Sequence, residues 1–216
     1  MFRWDKLMEY MPLFLEGIVV TIEITVISVL LGTLLGLFAG MGRLSDSRIL
    51  RWITGIYVGL FRGTPLFVQI LLIHFAVLPT FMKSDAFVSG VVALSLNAGA
   101  YIAEIFRAGI QSIDKGQMEA ARSLGMTKGQ TMREIILPQA FRRMLPPLGN
   151  ESIMLLKDSS LLAAISLPEV TYYANLMQGK TYLAWEPFLT LMVMYLVLTM
   201  VLARLVSFLE RKYGTV

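Results

Sequence analysis

Five apolar stretches, at residues 17–41, 53–77, 87–110, 148–166 and 188–209, approach the length a helix needs to cross hydrocarbon. Crossing a bilayer core takes about 20 residues of helix. Backbone polar groups must find partners inside each segment, so a chain with this pattern is expected to fold as an all-α bundle of five transmembrane helices. The fourth stretch is the weakest, because Glu151, Lys157 and Asp158 interrupt it. Only 16% of the chain is charged, against about a quarter in soluble domains. With no cysteine and one histidine, His74, neither a disulfide framework nor a thiolate or histidine-cluster metal site is expected. Residues 1–16 carry Asp5, Glu9 and Glu16 and lack a small-residue cleavage site. Their aromatic and apolar side chains suit an external helix lying at the membrane interface.

An odd number of crossings puts the termini on opposite faces, and the Lys/Arg distribution chooses between them. Arg43, Arg48 and Arg51 fall in one loop, seven more between Arg107 and Arg143 in another, and Arg204, Arg211 and Lys212 at the C-terminal end. The opposite side receives Arg3, Lys6, Lys83 and Lys180. The N-terminus is therefore expected outside and the C-terminus in the cytoplasm, with 17–210 a single transmembrane domain and 211–216 a cytoplasmic tail. The net charge of +4 is then a topology signal, and no nucleic-acid partner follows from it. Two rows of small residues, Gly32, Gly36, Gly40 and Gly55, Gly59, Gly63, permit close helix approach. Packing within one subunit is the expectation for both rows, ahead of a dimer seam.

The one long polar segment between apolar stretches, within 111–140, has ordered local chemistry. Asp114 with Gln117 forms a capping-box-like start, followed by Met118, Ala121, Arg122 and Leu124 at helical spacing. Gly125 can stop that helix in a left-handed conformation, and Thr127 with Gln130 can cap a second helix running toward Leu137 before Pro138. A short helix, a sharp turn and a second helix are predicted on the cytoplasmic side.

Glu119-Ala120-Ala121, Gly125, Ile135 and Leu137-Pro138 stand at the spacing of the E-A-A-x3-G-x9-I-x-L-P loop, and in this they resemble permease subunits of ATP-binding-cassette importers. The resemblance implies that Glu119, Ala120, Ala121, Arg122 and Gly125 form a coupling helix docking on a separate ATPase. Further stretches resemble the polar amino acid branch of the histidine/glutamine/arginine type. They are Arg62-Gly63-Thr64-Pro65-Leu66 with Gln69, Ala100-Tyr101-Ile102-Ala103-Glu104, Arg107-Ala108-Gly109-Ile110, Lys115-Gly116-Gln117, and Lys157-Asp158-Ser159-Ser160-Leu161, together with Thr21, Thr25 and Ser28. Ala108 departs from the glycine commoner there. The fold implied is that of a type I, MetI-like importer permease in a prokaryotic cell membrane. A second permease subunit (an identical copy or a sister chain), two ATPases and an external substrate-binding protein are implied as partners. ATP and Mg would be bound by the ATPase, and no cofactor by this chain.

Residues 174–181, ANLMQGKT, fit a relaxed phosphate-loop pattern. They lack a preceding strand and fall in a predicted external loop, so they are read as coincidence, and the chain as non-catalytic.

Ionisable side chains at membrane depth are costly and mark function by default. Asn97, Tyr101 and Glu104 share a helix face through i, i+4, i+7 spacing, and with Glu23, Asp158 and Ser159 they are the predicted substrate pathway. Ion pairing of Glu104 with Arg107 or Arg62 and snorkelling of Glu23 are the structural readings of the same residues. His74 is read as packed or interfacial. Three acids against one or two bases favour a cationic amino acid such as arginine, lysine or histidine. A carrier of glutamine, glutamate or another polar amino acid is the alternative, and a secondary transporter or channel using the acids as an ion relay is the remote one.

Overall fold

The computed structural model describes residues 2–83 and 85–213, and these are helical with no strand among them. The last three residues of the predicted tail, 214–216, lie outside the described residues. Helix α1 (Trp4–Leu44) runs without interruption for 41 residues. The predicted interfacial helix is therefore the first part of α1. One face of this part, Leu7, Tyr10 and Phe14, is buried against Val170, Ala174 and Met177 of α8 (Val170–Thr181). Along that face the helix continues unbroken through Pro12 where the sequence suggested a change of direction.

Helix α4 (Ala86–Gln111) is the most deeply buried element and lies along α1. Asp85 caps it by accepting the Val88 N–H at 2.9 Å. The row Gly32, Gly36, Gly40 faces α4: a Cβ at Gly36 would stand 2.6 Å from Ile102 Cβ and 3.0 Å from the Gly99 carbonyl oxygen. Without side chains on α1 at these turns, the two backbones close to contact. The second row differs. Gly55 is near the Arg43 guanidinium, while Gly59 and Gly63 face open space.

The predicted second crossing is broken. Helix α2 (Arg48–Gly63) ends at Thr64, and α3 (Leu66–Leu72) starts after Pro65, with a bend of 106° between them. Proline lacks an N–H and forces the preceding residue extended, and Thr64 has φ −123° and ψ 149°. Beyond α3 a π-helical turn, Ile73–Val77, and a 3-10 turn, Leu78–Thr80, complete this segment.

The fourth stretch is also composite. Helix α7 (Leu137–Asp158) passes into a 3-10 run, Ser159–Ile165, which ends at Ser166 with φ 60°. Helix α9 (Trp185–Tyr213) closes the bundle. Among the described residues three helices, α1, α4 and α9, are long and apolar enough to cross a membrane, or four segments if the bent α2–α3 pair is one crossing. The fourth predicted stretch is not among them. The principal core gathers Ile24, Ile70, Leu94, Ala98, Ile102 and Leu162 from α1, α3, α4 and the 3-10 run.

Candidate functional site

The segment after α4 builds the shape its caps dictate. Helix α5 (Lys115–Ser123) is capped by Asp114, whose Oδ1 accepts the Gly116 N–H at 2.7 Å. It ends in a Schellman closure: the Met126 N–H donates to the Ala121 carbonyl at 3.2 Å and the Gly125 N–H to the Arg122 carbonyl at 3.1 Å. Gly125 supplies the left-handed turn with φ 87°. The short helix α6 (Lys128–Thr131) carries the Thr127–Gln130 capping box. It does not stop before Pro138 as expected. A π-helical turn, Met132–Ile136, leads straight into α7, with Pro138 near the N-terminus of that helix. The shifted register of a π turn accommodates a residue that lacks an N–H, and Pro79 follows the turn at Ile73–Val77 in the same way.

Glu119, Ala120, Arg122 and Gly125 are exposed, whereas Ala121 is only 2% exposed. Ala121 therefore seats α5 on its own segment and offers no surface to a partner within this fold. Leu124, placed by spacing on the helix with Met118, Ala121 and Arg122, is 85% exposed at the tip of the turn. Its place as the C-cap residue, beyond the last regular turn, takes it off the buried face.

Within the bundle, Glu104 is the hub of a four-residue ion cluster. Its Oε2 accepts Arg107 Nε at 2.9 Å and Arg107 Nη2 at 2.7 Å, and its Oε1 accepts Arg43 Nε at 3.2 Å. Arg62 Nη1 stands at 3.8 Å, with its guanidinium 5.1 Å from the Tyr101 ring centroid. One carboxylate thus ties together α1, α2 and α4. Beside it opens a cavity of about 630 Å³, walled by Arg62, Tyr101 and Glu104 on one side and Arg143, Asn150 and Glu151 of α7 on the other.

The predicted pathway residues divide. Tyr101 and Glu104 line this cavity. Asn97 does not: it is buried, and its Nδ2 donates to Gln69 Oε1 at 2.9 Å and to the Phe61 carbonyl at 3.2 Å. Gln69 Nε2 also reaches Phe61 O at 2.8 Å and Thr64 O at 3.0 Å, so the pair satisfies carbonyls that α2 leaves open where Pro65 breaks the helix. Glu23 lies on the exposed face of α1, because the helix turns Thr21, Ile24, Thr25 and Ser28 inward. Ser159 is buried, its hydroxyl donating to the Leu156 carbonyl at 2.7 Å. Asp158 is half-buried at the end of α7, outside the cavity wall. Glu151 and Arg62 belong to the wall, although the sequence marked Glu151 only as a charge interrupting the fourth stretch and Arg62 as a partner for Glu104. Seven-residue spacing along α7 could have joined Glu151 to Asp158 on one face.

Other polar residues are occupied structurally. Glu169 is fully buried and accepts the N–H groups of Thr171 and Tyr172, each at 2.8 Å, and the Tyr195 hydroxyl at 2.9 Å. His74 Nδ1 lies 2.8 Å from Ser89 Oγ, and its ring packs edge-on to Phe75. Residues 174–181 lie within α8, so the phosphate-loop-like string forms a helix and not a loop. Among the described residues no group of three His, Cys, Asp or Glu could hold a metal ion.

Comparisons with known proteins agree with this architecture. The family model of the inner-membrane component of binding-protein-dependent transport systems matches residues 10–215. The arginine transport system permease protein ArtQ of Bacillus subtilis is 40% identical over 203 residues, covering 93% of this chain and 92% of its own. The glutamine transport system permease protein GlnP of Escherichia coli is 38% identical over 213 residues, covering 98% and 97%. The crystal structure of an amino acid ABC transporter with histidines superposes with a TM-score of 0.92 at 40% identity, over 98% of this chain and 99% of the other. The inward-facing MetNI methionine transporter shares the fold, with a TM-score of 0.80 at 21% identity over 95% of this chain and 98% of the other. The members of this family are non-catalytic, multi-pass components of the inner membrane that work with a separate ATPase. The chain belongs to the inner-membrane components of binding-protein-dependent transport systems, as a permease subunit of an amino acid ATP-binding-cassette importer.

Proposed function

We propose that this permease carries polar amino acids, basic ones such as arginine, lysine and histidine foremost, and that the cavity beside Glu104 is where they lodge. The observation that carries the reading is the division of charge along its walls. Glu104 is saturated by Arg43 and Arg107, which leaves Arg62 the loosest of its three partners and able to meet a substrate carboxylate. Across the cavity, Glu151 is the carboxylate available to an ammonium group. Beyond the cavity wall, Asp158 lies two turns further along the same face of α7, roughly 10 Å away at 1.5 Å per residue. Two carboxylates at that separation suit a cargo with a cation at each end, whereas glutamine would use only the first. Of the acids first considered for this pathway, Asp158 keeps a role as the distal acceptor and Glu23 faces away from it.

The external N-terminus, the cytoplasmic C-terminus and a fourth crossing built from α7 and the 3-10 run complete the proposed topology. In it α5 lies at the cytoplasmic face. There Glu119, Ala120, Arg122 and Gly125, with Leu124 as an apolar tip, fit a cleft of the ATPase. Closure of two ATPases around ATP would draw two such helices together, one from each of two permease copies or sister chains, and switch access to the cavity. The external binding protein would deliver the cargo.

Uptake into proteoliposomes containing the permease, its ATPase and its binding protein tests this. Glu151→Gln and Asp158→Asn are each expected to lower arginine uptake at least tenfold, on the order of 1.4 kcal/mol. Asp158→Asn is expected to leave any glutamine uptake nearly unchanged. Equal arginine uptake by the wild type and both variants would sink the assignment of the cavity.

A further inference from the structure

The seam between α7 and α9 holds two hollows that the transport reading does not use. At the end of the bundle nearest α5, Pro138, Phe141 and Arg142 of α7 face Lys212 and Tyr213 of α9 around a hollow of about 340 Å³. Immediately along the same antiparallel seam, an apolar groove of about 330 Å³ runs from Leu145 and Leu209 to Ser152 and Leu202, with Val26 and Val29 of α1 as its floor. Arg142 and Lys212 share the walls of the first hollow, Leu145 and Leu209 those of the second, and Gly149 packs against Val206. Gly149 lets α7 and α9 close on each other along the groove, since Val206 occupies the space a Cβ there would need.

We propose that this seam binds one anionic phospholipid, with its phosphate between Arg142 and Lys212 and one acyl chain in the groove. Basic pockets between helices at a membrane interface attract anionic headgroups. Among the described residues neither Arg142 nor Lys212 forms an ion pair, and Lys212 rests over the Tyr213 ring at 5.2 Å. Among the described residues Glu210, on the groove rim, is the one carboxylate lining either hollow, so their headgroup end keeps a net positive charge. The ten helical steps from Leu202 to Lys212 span roughly 15 Å. That is the depth of one leaflet's hydrocarbon, half of a core about 30 Å thick. Charge at the interface and apolar length beyond it thus match a lipid and not a soluble anion. The inference does not depend on which amino acid is carried or on which face of the membrane α5 occupies.

The test purifies the transporter in detergent with equal phosphatidylglycerol and phosphatidylcholine and measures the retained lipid by native mass spectrometry. Preferential retention of one phosphatidylglycerol per permease chain is expected. Each basic residue contributes roughly fivefold near an anionic surface, so Arg142→Gln with Lys212→Gln should lower the preference by roughly 25-fold. Leu205→Trp, filling the groove without changing charge, should also release the lipid. Arg51→Gln, at a basic site on α2 away from the seam, should not. Equal retention of the two lipids, or preference unchanged by the double substitution, overturns the proposal. Displacement of the lipid by inorganic phosphate alone would make this a free-anion site and overturn it too. The charge variants lie at the exposed surface, so they decide the matter even if Leu205→Trp fails to fold.

Discussion

Replacing Glu104 with Gln keeps the side chain's shape and removes the charge on which three guanidiniums converge. Gln can accept from one arginine at the oxygen that remains, but its amide nitrogen would point a donor at another donor. Removing one partner of a fully buried ion pair costs about 3–5 kcal/mol. Here the Glu104 side chain is 15% exposed, and its arginines are 31%, 42% and 31% exposed. Solvent screening of those arginines reduces the loss, and about 2–4 kcal/mol is the expected net destabilisation. For a chain of this length each kcal/mol moves Tm by about 2–4 °C, so the purified variant should melt roughly 5–15 °C below the wild type. Because Glu104 ties α2 to α1 and α4 beside the cavity, ATP hydrolysis should persist while amino acid uptake per ATP falls. Differential scanning fluorimetry and paired uptake and hydrolysis assays read both effects. A Tm within 2 °C of the wild type, with uptake intact, would falsify the view that the cluster holds the bundle together at the cavity.

Two further outcomes follow from the geometry. Gly125→Ala forces a side chain into φ 87°; it should strain the α5 turn by about 1–2 kcal/mol and lower the amount of ATPase that co-purifies with the permease, which a pull-down measures directly. Gly36→Ala and Gly59→Ala should diverge, although both remove the same helix-interior glycine. The first drives a Cβ into Ile102 and the Gly99 carbonyl and is expected to cost about 1–3 kcal/mol, whereas the second enters open space and should be neutral or stabilising by up to about 1 kcal/mol; thermal melts of the isolated permease would show whether they separate.

The turn from α5 to α6 was legible because its structure is local. Asp114, Gly125, Thr127 and Gln130 act on backbone groups within a few positions of themselves, so the bonds that shape the turn are visible in a linear string. Leu124 escaped because helical spacing stops being informative where the helix stops. The broken second crossing was missed although Pro65 was in view. Hydropathy continues through the break, and only Gln69 and Asn97, supplied from α3 and α4, make open carbonyls tolerable there.

What the sequence by itself determined is the membrane class of the molecule and the shape of the segment that follows α4. Apolar length and cap chemistry are properties of contiguous residues, and both survive without knowledge of the fold. Which charges meet was decided only in three dimensions. Arg43 and Arg62 lie 61 and 42 positions from Glu104, and their convergence depends on glycines that bring α1 against α4 and on a proline that ends α2 beside them. The same packing turned Glu23 outward and placed Glu151 on the cavity wall. A count of acids cannot state a preference for cargo until the arginines that neutralise them have been located.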